Sequence, residues 1–382
     1  MQASIRNLPA SRIREVANAG LGRSDVLAFW FGESDEPTPA FVRDAAAESL
    51  ARGETFYSHN FGLAELREAI AAYTSGLHRR VGAERVAVTS SGVNALMIAM
   101  QALAGAGDEV VVVVPVWPNL PAQPAILGAE VKRFALGVQG GAWRLDVDAL
   151  LAAVTERTRV LLVNAPNNPT GWTLTRAEQQ AILEHCRRTR TWIVADEVYE
   201  RIWFGEGVAA PSFADIAEPD ERLVVVHSFS KSFLMTGWRL GWLVAPEALM
   251  PAIGKLIEFN TSCAPVFVQR GGLAALDHAA DFVPALVQRL RACRDTLLPR
   301  LAALPRVHVA VPSGGMYAFF RVEGEDDSLG FAKRLVADAG LGLAPGSAFG
   351  DEAEGWLRWC FASRDPARLT QGVERLAGAL RL

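Results

Sequence analysis

Half of the 382 residues are apolar and 21% are charged, the balance of a globular chain too long for one compact core and suited to a large domain with a smaller companion. A net charge of -4 argues against a broad nucleic-acid surface, and no apolar run approaches the roughly 18 residues that span a bilayer. Four scattered cysteines, Cys186, Cys263, Cys293 and Cys360, lack the paired spacing of a disulfide framework or a zinc site, so no metal and a reducing cytoplasm are expected.

The first twenty residues are amphipathic without an apolar signal core, and their periodicity is too weak to choose between an arm and a helix. An apolar strand is predicted over Val26–Phe31, stopping at Gly32, where the missing side chain lets another backbone or a ligand come close. Helical spacing follows over 39–52, and Tyr57 sits in a short loop ahead of a helix over 64–77. A strand over 85–89 runs into Ser90-Ser91-Gly92, with a helix from Val93 to Leu103. Small residues between strand and helix expose backbone N–H groups at the positive end of the helix dipole, an anion site by design or an ordinary turn.

Glu109–Val114 is almost pure valine, as in a strand buried on both faces of a parallel sheet. Trp117, between Pro115 and Pro118, is either a stacking platform for a flat ring or core-edge packing. A strand over 131–136 and a helix over 146–154 continue the alternation. The strand Val160–Asn164 then ends in Ala165-Pro166-Asn167-Asn168-Pro169-Thr170-Gly171, a stiff loop presenting amides where ligands sit in open α/β sheets. Thr175 and Glu178 make a capping box for a helix to about Arg190. The next strand ends at Asp196, with Tyr199 three residues on; an unpaired buried carboxylate is costly, so a cationic partner for Asp196 is expected.

The apolar run Leu223–Val226 leads through His227-Ser228-Phe229-Ser230 to Lys231, and Arg239 follows before a second apolar run over 240–244. Of 38 basic residues only Lys132, Lys231, Lys255 and Lys333 are lysines, and Lys231 stands among Phe229, Phe233 and Met235. Partial desolvation there favours the neutral, nucleophilic amine, which forms Schiff bases. Ser228 and Arg239 add a hydroxyl and a planar cationic fork suited to phosphate. An amine and a phosphate site in one loop are what pyridoxal 5'-phosphate requires.

After Pro246 the pattern turns helical, over 247–259, 266–276 and 281–304, and then mixed, with strands near Val307, over 316–320 and over 356–361, and helices over 329–339 and after Asp365-Pro366. Arg358 lies in an apolar strand and should face a carboxylate, either structural or a substrate's. The predicted fold is α/β: a large domain with a mainly parallel, helix-covered sheet, plus a smaller α+β domain. The expected division is 1–44 as an arm and part of the small domain, 45–277 as the large domain and 278–382 as the rest of the small domain.

Taken together, Asn164–Gly171, Ala195–Tyr199, Ser228–Gly241 and Leu357–Ala362 resemble the class I/II family of pyridoxal-phosphate aminotransferases, in the family's order and over nearly the whole chain. The resemblance implies that Lys231 links covalently to the cofactor and later moves the substrate's Cα proton. It implies that Asp196 pairs with the pyridine nitrogen, and that Asn168 and Tyr199 hydrogen-bond the phenolic oxygen. Trp117 would stack on the ring, while Ser228, Arg239 and the Ser91-Gly92-Val93 turn hold the phosphate, with Tyr57 reaching it from the other subunit of a homodimer. Arg358 would clamp the substrate's α-carboxylate, helped by Asn168, Trp117 and the backbone at Gly32. One aspartate-preferring branch places a lysine just after the turn glycine, whereas this chain has Val93. With Trp30, Phe31, Trp117, Met316 and Tyr317 as possible neighbours, an apolar or aromatic amino acid is expected, paired with a 2-oxo acid. A carbon-sulfur β-lyase on the same fold remains an alternative. A non-catalytic regulator would carry a fused DNA-binding domain, for which the short N-terminal segment leaves no room.

Overall fold

Val110 to Val114 alternate between two cores, which is why an unbroken valine run suits them. Val110, Val112 and Val114 pack with Leu96, Ile98, Leu162 and Val194, while Val111 and Val113 join Leu161, Val163 and Val225 on the other face. Each such side chain, fully removed from water, contributes at most about 1.5–3 kcal/mol. A strand with two apolar faces must lie inside the sheet and not at its edge, and the computed structural model, which describes residues 3–380, places it between two neighbours.

Seven strands form the large sheet: β1 (Val86–Thr89), β2 (Glu109–Val114), β3 (Glu130–Ala135), β4 (Thr158–Asn164), β5 (Trp192–Asp196), β6 (Leu223–Ser228) and β7 (Gly241–Val244). Their order is β1-β7-β6-β5-β4-β2-β3. All the pairings are parallel except those of β7, which runs antiparallel to both its neighbours. Asn164 pairs in register with Asp196, and Asp196 with Val226, so the polar ends of β4, β5 and β6 share the carboxyl edge of the sheet. That edge is where a doubly wound sheet offers a crevice.

β7 also fixes the phosphate-type turn. Gly241 stands opposite Thr89 on one side and Ser228 on the other. A Cβ on Gly241 would fall 2.4 Å from the Gly92 nitrogen, so no larger residue fits without moving the turn.

A second sheet, antiparallel throughout, is built from β8 (Val307–Ala310), β9 (Tyr317–Val322), β10 (Ala344–Pro345) and β11 (Trp356–Cys360), in the order β8-β9-β11-β10. The helices Ala279–Ala302, Ser328–Ala339 and Pro366–Ala379 pack with it. The N-terminal segment belongs to this side: the helix Arg12–Ala19 packs on Ser328–Ala339, and Leu27–Ala28 pairs with Leu341–Gly342.

The expected caps are present, Thr175 and Glu178 closing a capping box and Asp365 capping its helix; Asp146 also caps the helix Val147–Ala153. The expected strand over Val26–Phe31 shrinks to Leu27–Ala28. Beyond it the backbone carbonyls of Trp30 and Gly32 serve the side chains of Arg358 and Lys231 instead of a ladder. The predicted helix over 247–259 starts with a single 3₁₀ turn and runs regularly over Met250–Thr261. Among the elements not expected are a short helix Asn119–Ile126, masked by Pro121 and Pro124, the hairpin of Gly137–Gln139 with Ala142–Arg144, and the short strands Leu341–Gly342 and Ala344–Pro345. Among the described residues, no helix is long and apolar enough to cross a membrane.

Candidate active site

At the carboxyl edge of β4, β5 and β6, a cavity of about 460 Å³ opens between the two sheets. Lys231 reaches it from the turn after β6, its Nζ donating to the Gly32 carbonyl at 2.8 Å and lying 5.5 Å from the centre of the Tyr199 ring. A Cβ on Gly32 would fall 2.2 Å from the Tyr317 hydroxyl, so the close approach needs glycine. Burial, reinforced by the Arg358 and Arg239 charges, lowers the Lys231 ammonium to about 8. A substantial fraction of neutral amine is therefore present near neutrality, as a nucleophile or base requires.

Asp196 is almost completely buried at the end of β5. Its side chain accepts one hydrogen bond, from the Val198 N–H at 3.4 Å, and among the described residues no basic side chain lies within 4.0 Å of it. The expected cationic partner is thus not found among the described residues. Burial pushes the carboxyl up to about 7, only partly offset by that N–H and by the charge on Lys231. A positively charged ligand group beside it would restore the carboxylate.

Arg358 is the second uncompensated charge. It is buried on β11; one Nη donates to the Asn168 side-chain oxygen at 2.9 Å, the other donates to the Trp30 carbonyl, and Nε is buried without a partner. Its guanidinium lies 4.6 Å from the Tyr317 ring centre and 4.9 Å from that of Phe349. No carboxylate is within 4.0 Å among the described residues, so the structural alternative for its partner is removed. A buried orphaned guanidinium facing a cavity is built to receive a carboxylate.

Tyr199 donates to or accepts from the Tyr317 hydroxyl at 2.6 Å, and burial together with that neighbour holds its own hydroxyl protonated well above the usual phenol range. Trp117, whose N–H donates to the Asn168 carbonyl at 2.9 Å, lines the same space.

Opposite these groups lie the candidate phosphate donors. Ser91 caps the helix Gly92–Leu103, accepting from the Asn94 N–H at 3.0 Å, while Gly92 and Val93 line the cavity with Ser228 and Arg239. Ser228 accepts from the Ser230 N–H at 3.1 Å, and Arg239 donates to the Thr236 carbonyl at 2.6 Å. Ser91 (φ 141°), Leu234 (φ 54°) and Arg239 (φ 54°) are all in left-handed backbone regions that L residues avoid, a strain of about 1–2 kcal/mol each that is concentrated in the two turns facing the cavity.

The cavity thus gathers Lys231, Asp196, Tyr199, Asn168, Trp117, Gly92, Val93, Ser228, Arg239, Gly32 and Arg358, with Ser91 behind the turn. Tyr57 is not in it; it projects into solvent on a separate loop. Trp30 and Met316, expected as possible pocket residues, belong to the core, Trp30 contributing its carbonyl alone. Sequence reasoning passed over Ser230, Thr236, Leu96 and Arg14 as lining residues. A hydroxyl inside the Ser228-to-Lys231 stretch signals the first; the position of Arg14 has no local signal.

Behind the site, His78 bridges the Glu200 carboxylate at 2.8 Å and the Asp215 carboxylate at 2.7 Å, and its ligand-type atoms lie within 4.8 Å of those of Glu197 and Glu200. Glu197 is already engaged by Ser212 and the Phe213 N–H. The group is a buried hydrogen-bonded charge cluster.

The profile of the family described as aminotransferase class I and II matches residues 24–376. The chain belongs to that family. An aspartate aminotransferase of Musicola paradisiaca is 35% identical over 337 residues, 87% of this chain and 83% of that one. An aromatic-amino-acid aminotransferase of Thermococcus litoralis is 30% identical, covering 97% of this chain and 96% of its own. The solved aspartate aminotransferase of Thermotoga maritima superposes with a TM-score of 0.91 at 31% identity, covering both chains completely. This class I/II aminotransferase is accordingly a pyridoxal-phosphate-dependent transaminase. Its cavity fits that cofactor on its own terms: an amine held near the neutral range, a buried carboxyl lacking a cation, and a donor-lined helix terminus in one space.

Proposed function

We propose that this aminotransferase moves the amino group from an L-amino acid with an apolar or aromatic side chain to a 2-oxo acid, by a ping-pong sequence in one cavity. The observation that carries the substrate preference is the interior lining: Val93, Leu96 and Phe31 stand there, with no interior cation beyond Lys231, Arg239 and Arg358 among the described residues. A distal carboxylate in that interior would be desolvated without a partner, at a cost of several kcal/mol.

Bound pyridoxal phosphate supplies an electron-withdrawing ring that stabilises negative charge at the substrate's Cα. Asp196 holds the ring nitrogen, Asn168 and Tyr199 the phenolic oxygen, and Trp117 the ring face. Ser91, Gly92, Val93, Ser228 and Arg239 hold the phosphate. Arg358 takes the α-carboxylate, with Asn168 and the Gly32 backbone alongside, and so fixes which Cα substituent faces Lys231. The Lys231 Nζ takes the proton from Cα, a role its lowered proton affinity suits. Tyr57 is assigned to the phosphate of a second subunit, its exposure in the single chain being consistent with a homodimer. The four free cysteines suit a cytoplasmic enzyme. The packing of Arg12–Ala19 and Leu27–Ala28 on the small sheet's side supports grouping 1–44 with 278–382 against 45–277.

The test is kcat/KM for aspartate and for leucine and phenylalanine, in the wild type and in Val93→Lys and Arg358→Lys. Val93→Lys should raise the aspartate-to-phenylalanine ratio about tenfold or more, and Arg358→Lys should raise KM for all three. A wild type that already strongly prefers aspartate sinks the apolar reading; release of a thiol, pyruvate and ammonia from a cysteine S-conjugate, without a 2-oxo acid, would favour the eliminating alternative.

A further inference from the structure

The helix Arg12–Ala19 puts two side chains on the cavity, Ile13 and Arg14. Ile13 is buried and Arg14 is exposed, so Arg14 stands at the rim where the interior lining meets solvent. Its helical neighbours are engaged: Arg12 donates to the Ser347 carbonyl at 3.3 Å, and Glu15 pairs with Lys333 at 2.5 Å. Arg14 itself has no carboxylate within 4.0 Å among the described residues; its guanidinium lies 5.7 Å from the Phe31 ring centre. Glu33, the carboxylate that shares the lining, accepts from the Thr236 hydroxyl at 3.2 Å and forms no ion pair with Arg14. The cavity therefore has an anchored cation inside, Arg358, apolar side chains in its lining at Ile13, Phe31, Val93 and Leu96, and an unpaired cation, Arg14, at the rim.

We propose that Arg14 is a specificity-determining residue that binds the distal carboxylate of a 2-oxo dicarboxylic acid of five or more carbons, the amino acceptor of the second half-reaction. The inference rests on the two-substrate reading given above. An acid anchored at the buried Arg358 must extend outward to the rim before a second carboxylate reaches Arg14, and a four-carbon acid has one methylene fewer with which to do so. Its methylenes then occupy the space that an apolar side chain takes in the first half-reaction, so one cavity serves both partners. No external oxidant or reductant is involved: the donor gives up its amino group with the electron pair of its Cα–H bond and takes its new carbonyl oxygen from one water, while the acceptor's carbonyl carbon gains that amino group, the electron pair and a proton and loses its oxygen as one water, so that no water is gained or lost overall. Phe31 beneath the guanidinium holds it at the rim while the fork keeps its N–H groups free for a bidentate contact.

Enzyme preloaded with the amino group from phenylalanine is mixed, in single turnovers, with 2-oxoglutarate, oxaloacetate or pyruvate, for the wild type, Arg14→Gln and Arg14→Lys. The 2-oxoglutarate-to-pyruvate ratio of kcat/KM should fall tenfold or more in Arg14→Gln, through KM, and recover in part in Arg14→Lys; the oxaloacetate-to-pyruvate ratio should move less. Because the cation is exposed, KM for 2-oxoglutarate in the wild type should also rise with salt. Binding of unreactive glutarate, followed by calorimetry, should weaken by the same factor. A 2-oxoglutarate-to-pyruvate ratio within twofold of wild type in Arg14→Gln overturns the role of Arg14 and leaves the aminotransferase reading intact. If the wild type aminates none of the acids, the two-substrate reading fails and this inference with it.

Discussion

Asp196 is a carboxyl that the folded chain by itself cannot keep charged cheaply, since burial raises it to about 7 and one N–H and the charge on Lys231 offset the shift only in part. The proposed use follows from that discomfort: a cationic ring nitrogen would be the partner that the described residues do not supply. Asp196→Asn keeps the shape and removes the charge, so turnover should drop about 10³-fold while cofactor occupancy, read from the absorbance of the bound chromophore, stays near wild type. Undiminished turnover in a loaded mutant would refute the assignment. At this scale the sequence was legible where chemistry forces a residue type, as for Lys231 in its apolar loop and Arg358 in its apolar strand. Tyr317, expected as a possible pocket neighbour, does line the cavity, but its hydrogen bond with Tyr199 across 118 residues of chain was not legible. Nor was the role of Trp30, a carbonyl that any residue could supply.

The strands of the large sheet were readable because two buried faces demand continuous apolar runs, and the long helices because their caps are written locally. What was not readable is how element ends meet. His78, at the end of the helix Ala64–Leu77, bridges Glu200 and Asp215, and His227 at the foot of Ser228 faces Glu200 at 3.5 Å. Burial opposes a charge on His78, yet the hydrogen bonds it donates to Asp215 and Glu200 outweigh that and carry the imidazolium up to about 10. A folded-state value above the ordinary 6.5 means the folded protein holds a proton that the unfolded chain releases. That stabilisation is complete below pH 6.5 or so and is lost as pH rises towards 10. Between pH 7 and 10 the free energy of unfolding should therefore decline in the wild type, and in His78→Gln it should start lower and decline less steeply. Denaturant titrations across that window check it; parallel slopes would mean that His78 carries no linked proton.

A single chain presents Phe56, Tyr57 and Phe259 at 84%, 89% and 85% exposure, three large rings with nothing of their own chain to cover them. Rings so exposed are usually waiting for a surface, and Tyr57 is the residue assigned to the phosphate of a neighbouring site. If the enzyme is a dimer that shares Tyr57 across its interface, the consequence is genetic as well as hydrodynamic. Tyr57→Phe homodimers should bind pyridoxal phosphate about tenfold more weakly, the loss of one hydrogen bond to a charged group. A Lys231→Ala chain cannot form the covalent link but still carries an intact Tyr57. Paired with a Tyr57→Phe chain in a purified heterodimer, it should lend that tyrosine to the one site that retains Lys231, which then binds the cofactor with wild-type affinity at half stoichiometry. A heterodimer whose single competent site is as weak as the Tyr57→Phe homodimer would place Tyr57 in its own chain's site or in none, and sedimentation as a 41.2 kDa monomer would remove the shared site altogether.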